Sequence, residues 1–135
     1  GLTIVVEPEP GALYVEGDVF ALSRVCRNLV MNAIEATAPT GRVTIGTAAA
    51  DSRAMLRVAD TGCGIPAERL ETMFEDFNTT KRQGLGLGLA ITKKIVDQSG
   101  GTIAATSNVG VGAAFVVSLA RIPAPAVELR GEAGG

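Results

Sequence analysis

The chain has 135 residues, 47% of them hydrophobic and 19% charged, with a formal net charge of −2, two cysteines, and neither histidine nor tryptophan. That length gives one domain with a core of its own, and the apolar fraction excludes a disordered chain. Without histidine there is no Ser-His-Asp or Cys-His nucleophile and no zinc site built on imidazole, so chemistry must rest on carboxylates, amides, lysines, backbone donors or a hard cation.

In chain order, Leu2 to Glu7 reads as a short β-branched strand, turned by Pro8-Glu9-Pro10-Gly11, and Leu13 to Glu16 as a second. Asp18 is a suitable helix N-cap. After it Leu22, Val25, Cys26, Leu29, Ala33 and Ile34 fall at helical spacing, so the apolar stripe predicts a helix to about Ala36, stopped by Pro39 and Gly41. Arg42 to Ala50 and Arg53 to Asp60 read as strands joined by a turn at Asp51-Ser52. From Thr61 to Gly88 the chain is irregular, with at most a short helix between Ala67 and Phe74; so long a stretch inside a compact domain points to function. Leu87 to Gln98 returns to helical spacing through Leu87, Ala90, Ile91 and Ile95 and stops at Ser99-Gly100-Gly101. Thr102 to Ser107 and Ala113 to Leu119 predict a closing hairpin. Residues 122–135, rich in Pro, Ala, Gly and Glu, read as a flexible tail behind a domain of residues 1–121. Strands and helices mix without strict alternation, which predicts an α/β sandwich whose mixed sheet is covered on one face.

Acidic and basic residues are nearly balanced and aromatic residues are few, which argues against a nucleic-acid partner. Cys26 and Cys63, 37 positions apart, read as free thiols of a reducing cytosol. No apolar run is long enough to span a membrane and the first residues do not read as a signal peptide. The start at Gly1 reads as the interior of a longer protein.

Three elements carry the chemistry. Arg24, Asn28, Asn32 and Glu35, spaced four, four and three apart, line one face of the first helix. Asparagine disfavours mid-helix positions, so two in register suggest neutral oxygen ligands for a hard cation that already carries phosphate oxygens; for Arg24, exposure to solvent is the simpler reading. In the second long strand Leu56, Val58 and Asp60 share one side. An inward Asp60 needs donors, unless it merely caps the turn at the strand end. Gly62 and Gly64 follow at positions where a ligand ring can approach the backbone. Gly62 to Ala67 also fits the dinucleotide G-x-G-x-x-A spacing, but Pro66 prevents a long helix from opening there. Finally, Gly84-Leu85-Gly86-Leu87-Gly88 leads into a helix and offers free backbone N–H groups at the positive end of its dipole, which suits a polyphosphate. Thr79-Thr80-Lys81-Arg82 precedes it, with Lys81 as a phosphate contact. The P-loop pattern is absent.

In this order the elements resemble the ATP-binding catalytic domain of bacterial sensor histidine kinases, in the Bergerat-fold ATPase and kinase superfamily, from about Thr3 to Leu119. Asn28-Leu-Val-Met-Asn32-Ala-Ile-Glu35 is similar to the family's asparagine box and Asp60-Thr-Gly62-Cys-Gly64-Ile65 to its first glycine box. Phe74-Glu-Asp-Phe77 with Thr79-Thr80-Lys81 is similar to the phenylalanine box, and Gly84-Leu85-Gly86-Leu87-Gly88-Leu to the second glycine box. Gly101-Thr-Ile and Gly110-Val-Gly112 with Phe115 match the closing hairpin.

The resemblance implies a two-layer sandwich with a mixed five-stranded sheet on about three helices and an ATP lid from about Phe74 to Leu85. It implies ATP and Mg²⁺ as cofactors: Asn32 on the metal with Asn28 nearby, Asp60 accepting from the adenine amino group, and Gly62, Gly64 and Ile65 bordering the base. Glu35, Thr80, Lys81, Gly84, Leu85, Gly86, Leu87 and Gly88 would complete the ATP site, with Asn28, Asn32 and Lys81 its catalytic residues. Hydrolytic relatives carry a glutamate as general base where this chain has Asn28, which favours a histidine kinase over an ATPase. The implied partners are a dimerisation and histidine-phosphoacceptor domain of the same protein and a response regulator. The parent would be a homodimer, and this piece a monomer. The location is cytoplasmic, with inner-membrane anchoring of the parent left open. Ala113 stands where the family usually has Thr or Ser, and Asp76 and Asn78 depart from the usual lid. These departures keep a nucleotide-binding regulator without transfer activity as a rival. The Thr-Thr-Lys and glycine pairing is similar to the nitrogen-regulation and dicarboxylate-sensor subgroup.

Overall fold

A computed structural model describes residues 2–7, 13–70 and 85–123, without the side chains of 85–88. The elements are β1 (Thr3–Glu7), α1 (Val19–Ala36), β2 (Arg42–Ala50), β3 (Arg53–Asp60), α2 (Ala67–Leu70), α3 (Leu85–Gln98), β4 (Thr102–Asn108) and β5 (Gly112–Ala120). The sheet has five strands in the order β1-β2-β3-β5-β4. β1 runs parallel to β2 because α1 lies between them as the crossover, and the other pairs are antiparallel. The expected mixed five-stranded sheet on three helices is what forms.

Local chemistry accounts for the element ends. The Asp18 carboxylate accepts from the N–H groups of Phe20 (2.8 Å) and Ala21 (3.3 Å), which starts α1. The β2–β3 turn has only Asp51 and Ser52 between the strands, and Asp51 takes φ 54°, as a tight hairpin demands. α3 stops where Gly100 adopts φ 78° and Gly101 N–H donates back to the Val96 carbonyl at 3.0 Å.

The core lies between sheet and helices. Leu29 and Val96 from the helices are fully buried, as is Val43 from the sheet, with Val25, Val58, Phe115 and Val117 beside them. Burying each such side chain contributes about 1.5–3 kcal/mol. α1 buries Val25, Leu29 and Ala33 as expected, but Cys26 is exposed. Cys26 lies at the rim of the apolar stripe, where its neighbours cover it only in part.

Two further expectations need correction. α3 begins at Leu85, not Leu87, and its deepest side chains are Leu89, Thr92 and Val96, while Ala90, Ile91 and Ile95 are half-buried. The helix is apolar on adjoining faces, so periodicity alone picked a stripe turned away from the deepest one. Leu13–Glu16 is not a strand: Tyr14 makes one isolated bridge to Ile122, and among the described residues no longer partner strand lies beside it. Ile122 N–H donates to the Tyr14 carbonyl at 2.8 Å. Residues 124–135, read as a tail, lie outside the described residues.

Candidate functional site

Alternation along β3 places Leu56, Val58 and Asp60 on the helix-covered face; Val58 is buried and Asp60, at the strand end, is half-buried. Beside it the described residues enclose a cavity of about 340 Å³, lined by Asn32 and Glu35 of α1, Asp60, Cys63 to Pro66, Arg69 of α2, Leu89 of α3, and Ala113 and Phe115 of β5. Its size and its mostly apolar walls with a few convergent polar groups are those of a small-molecule site.

The two oxygens of Asp60 have different tasks. Oδ1 accepts from Gly62 N–H at 2.8 Å and Ala113 N–H at 3.3 Å, so both alternatives read from the sequence hold for one side chain: it faces inward and it caps the turn. Oδ2 accepts no hydrogen bond among the described residues, which leaves a fixed acceptor for a ligand's N–H donor. The glycines around it are explained by contact. A Cβ on Gly62 would strike the Ala36 carbonyl at the end of α1, and one on Gly64, at φ 80°, would strike the Asn108 carbonyl. Gly64 lines the cavity, whereas Gly62 is buried under α1. Ser107 ties this loop to the hairpin: its hydroxyl accepts from Ile65 N–H at 2.6 Å and donates to the Gly112 carbonyl at 3.1 Å.

On α1 the two asparagines diverge. Asn32 lines the cavity, and its Nδ2, buried, has no hydrogen-bond partner among the described residues. An orphaned buried amide is costly by about 1–3 kcal/mol, a cost that an acceptor on a ligand or water in the cavity relieves. Asn28, one turn earlier, does not line the cavity; its Nδ2 donates to Thr92 Oγ1 of α3 at 3.2 Å. Thr92 has no exposed surface, so the pair locks the asparagine helix to the helix that follows the second glycine run. Among the described residues no group of His, Cys, Asp or Glu could hold a metal ion. A cation here would be held by the side-chain oxygen of Asn32 together with ligand oxygens, a donor set that fits Mg²⁺ carried on a phosphate, with the Asn32 Nδ2 left to donate to the same ligand.

Of the predicted site residues, Asn32, Glu35, Asp60, Gly64 and Ile65 are brought around one cavity. Thr80, Lys81 and Gly84 lie outside the described residues, as does most of the predicted lid from Phe74 to Leu85, with Asp76 and Asn78. Leu85, Gly86, Leu87 and Gly88 form the first turn of α3. Thr92, Ser107 and Arg69 were not picked from the sequence. The signal for Thr92 was a hydroxyl amid apolar neighbours in register with Leu89 and Val96, and for Ser107 its place on the inward side of β4; Arg69 gave none. Partial burial against the helix pushes the Cys26 thiol up from its ordinary value.

Residues 17–123 match the family described as histidine kinase-, DNA gyrase B- and HSP90-like ATPase. The chain belongs to this family. Within it, the chain is similar to the catalytic domain of the histidine kinase ThkA, with a TM-score of 0.80 and 36% identity over 89% of this chain and 79% of that one. ThkA has also been solved in complex with the response regulator TrrA, at 33% identity and a TM-score of 0.76 over 90% of this chain and 34% of that one. Full-length ShkA, solved with AMPPNP, matches with a TM-score of 0.81 and 29% identity over 93% of this chain and 27% of its own. The sensor histidine kinase ZraS of Klebsiella oxytoca is 37% identical over 119 residues, 87% of this chain and 26% of that protein. The chain thus spans about a quarter of that relative. It is a catalytic ATP-binding domain of the histidine-kinase type, and among its described residues no helix is long and apolar enough to cross a membrane.

Proposed function

We propose that this domain binds Mg-ATP in the cavity beside Asp60 and passes the γ-phosphoryl group to a histidine on a separate dimerisation and phosphoacceptor domain. The observation that carries the reading is the pairing, in one cavity, of a free Asp60 oxygen with the orphaned amide of Asn32. The carboxylate oxygen accepts from the exocyclic amine of adenine, and its backbone bonds hold it in place. Gly64 and Ile65 border the base, and the amide of Asn32 faces the phosphates. Mg²⁺, when bound through Asn32 and phosphate oxygens, neutralises the charge of the transferring group. Phosphoryl transfer needs little covalent chemistry from the protein, so positioning is the domain's main contribution.

Asn28 favours transfer over hydrolysis. Its amide cannot take a proton from water, and it is already engaged with Thr92. Lys81, Thr80 and the second glycine run complete the phosphate site in this reading, with Glu35 at its rim. A response regulator would receive the phosphoryl group next, in the cytoplasm, from a homodimeric parent.

Calorimetric titration tests the site. ATP should bind, and withdrawing Mg²⁺ should weaken it by about tenfold or more, a factor worth about 1.4 kcal/mol. In Asn32→Ala that Mg²⁺-dependent increment should vanish. An equal increment in both proteins would contradict the role given to Asn32, and no ATP binding at all would refute the reading.

A further inference from the structure

Next to the asparagines, α1 carries a second stripe that the nucleotide site does not use. Phe20, Arg24, Arg27 and Met31, spaced four, three and four apart, fall on one helix face, and all four are exposed. Phe20 is 84% exposed and Met31 47%, while Val19 adds a further apolar side chain at 66%. Fraying does not explain this, because the Asp18 carboxylate caps the helix at the Phe20 N–H. Neither arginine makes an ion pair or hydrogen bond among the described residues. Phe, Met and Arg are the side chains enriched where proteins meet, and two unpaired cations between two apolar anchors call for a partner that is apolar and acidic.

Position adds the rest. Arg24 precedes Asn28 by one turn, so whatever covers the stripe lies within a helical turn of the asparagines. The 135 residues contain no histidine, so a phosphoryl group bound for histidine must leave for another segment. The stripe runs about 16 Å along the axis at 1.5 Å per residue, three turns of a second helix packed against the first.

We infer that the stripe Phe20–Arg24–Arg27–Met31 is the landing surface for the helix that carries the acceptor histidine, and that this helix presents an acidic residue to Arg24 and Arg27. The inference rests on the proposed kinase reading. Phe20 seats the helix, the arginines fix its register by charge, and the histidine arrives at the phosphate end of the cavity.

The test uses the intact parent protein and γ-labelled ATP, with the variants Phe20→Ser and Arg24→Glu and the conservative Phe20→Leu and Arg24→Lys. Each disruptive variant should lower the rate of histidine labelling by about tenfold or more, leaving the KM for ATP unchanged, since about one tenfold step is the usual effect of losing one interface anchor. The conservative pair should recover most of the rate. Unchanged labelling would overturn the inference. So would a parallel loss of ATP affinity, which would place the stripe inside the nucleotide site. A dimer of the 135-residue chain in sedimentation that Phe20→Ser dissociates would also overturn it, because the stripe would then bind a second copy. Unmodified parent that binds ATP yet labels no histidine would refute the kinase reading itself, and this inference with it.

Discussion

Asp60→Asn should bind ATP about a hundredfold more weakly and should reverse the base preference, favouring inosine triphosphate over ATP. The reason lies in the division of labour between the two carboxylate oxygens. One accepts from the Gly62 and Ala113 N–H groups. An asparagine keeps those bonds by pointing its carbonyl oxygen at them, so the loop holds its shape. The amide nitrogen then occupies the free position and turns an acceptor into a donor. Facing the adenine amino group, two donors meet and neither is satisfied; sites built on one hydrogen-bonding pattern reject the wrong partner by about 10²-fold or more. The 6-oxo group of inosine accepts from that same amide. Parallel titrations with the two nucleotides measure the ratio, and an unchanged ATP preference would remove Asp60 from base recognition. Asp60→Ala is the poorer probe, because it also strands two backbone donors.

Gly112→Ala should be the most destabilising single-methyl change near the site, by about 3 kcal/mol, with a fall in Tm of about 12 °C at about 4 °C per kcal/mol, the value between the ranges for smaller and larger domains. Gly112 sits at φ 148°, and a Cβ there would run into the carbonyl oxygen of Asp60 on the neighbouring strand. Neither atom can yield, since Asp60 and Ala113 are paired in the β3–β5 ladder. Gly110 is the control. Its φ is 84°, but a Cβ there meets nothing within 4 Å, so Gly110→Ala should cost only the backbone term, about 1 kcal/mol. Thermal melts of the two variants separate close packing from conformational preference. Equal losses would show that the contact with Asp60 does not matter. Gly112→Ala should also weaken ATP binding in the surviving fold, because Asp60 is what the methyl displaces.

Much of this architecture was legible residue by residue. Arg42–Ala50 and Arg53–Asp60 have the bounds read from the sequence, because a two-residue turn between runs of small and branched side chains leaves few registers. Parity along β3 pointed Asp60 inward. Other features were out of reach because distant partners decide them. Leu13–Glu16 has strand chemistry but, among the described residues, only Ile122 to pair with. The buried face of α3 was chosen by what α1 offers across the interface, down to the bond from Asn28 to Thr92, 64 residues apart. A separation of 42 residues likewise hides the task of Ser107, whose hydroxyl joins Ile65 to Gly112. For Gly62 the sequence suggested room for a ligand, and the structure supplies a different cause, contact with the last turn of α1. Motif order thus located the site, while the task of each atom emerged only from long-range contacts.

Incubating the intact parent protein with γ-labelled Mg-ATP tests the central claim most directly. The account predicts label that is lost in acid and kept in alkali, as a phosphoramidate behaves, on a histidine outside these 135 residues, with the isolated chain unlabelled. Steady release of labelled phosphate with no label on any histidine would contradict it.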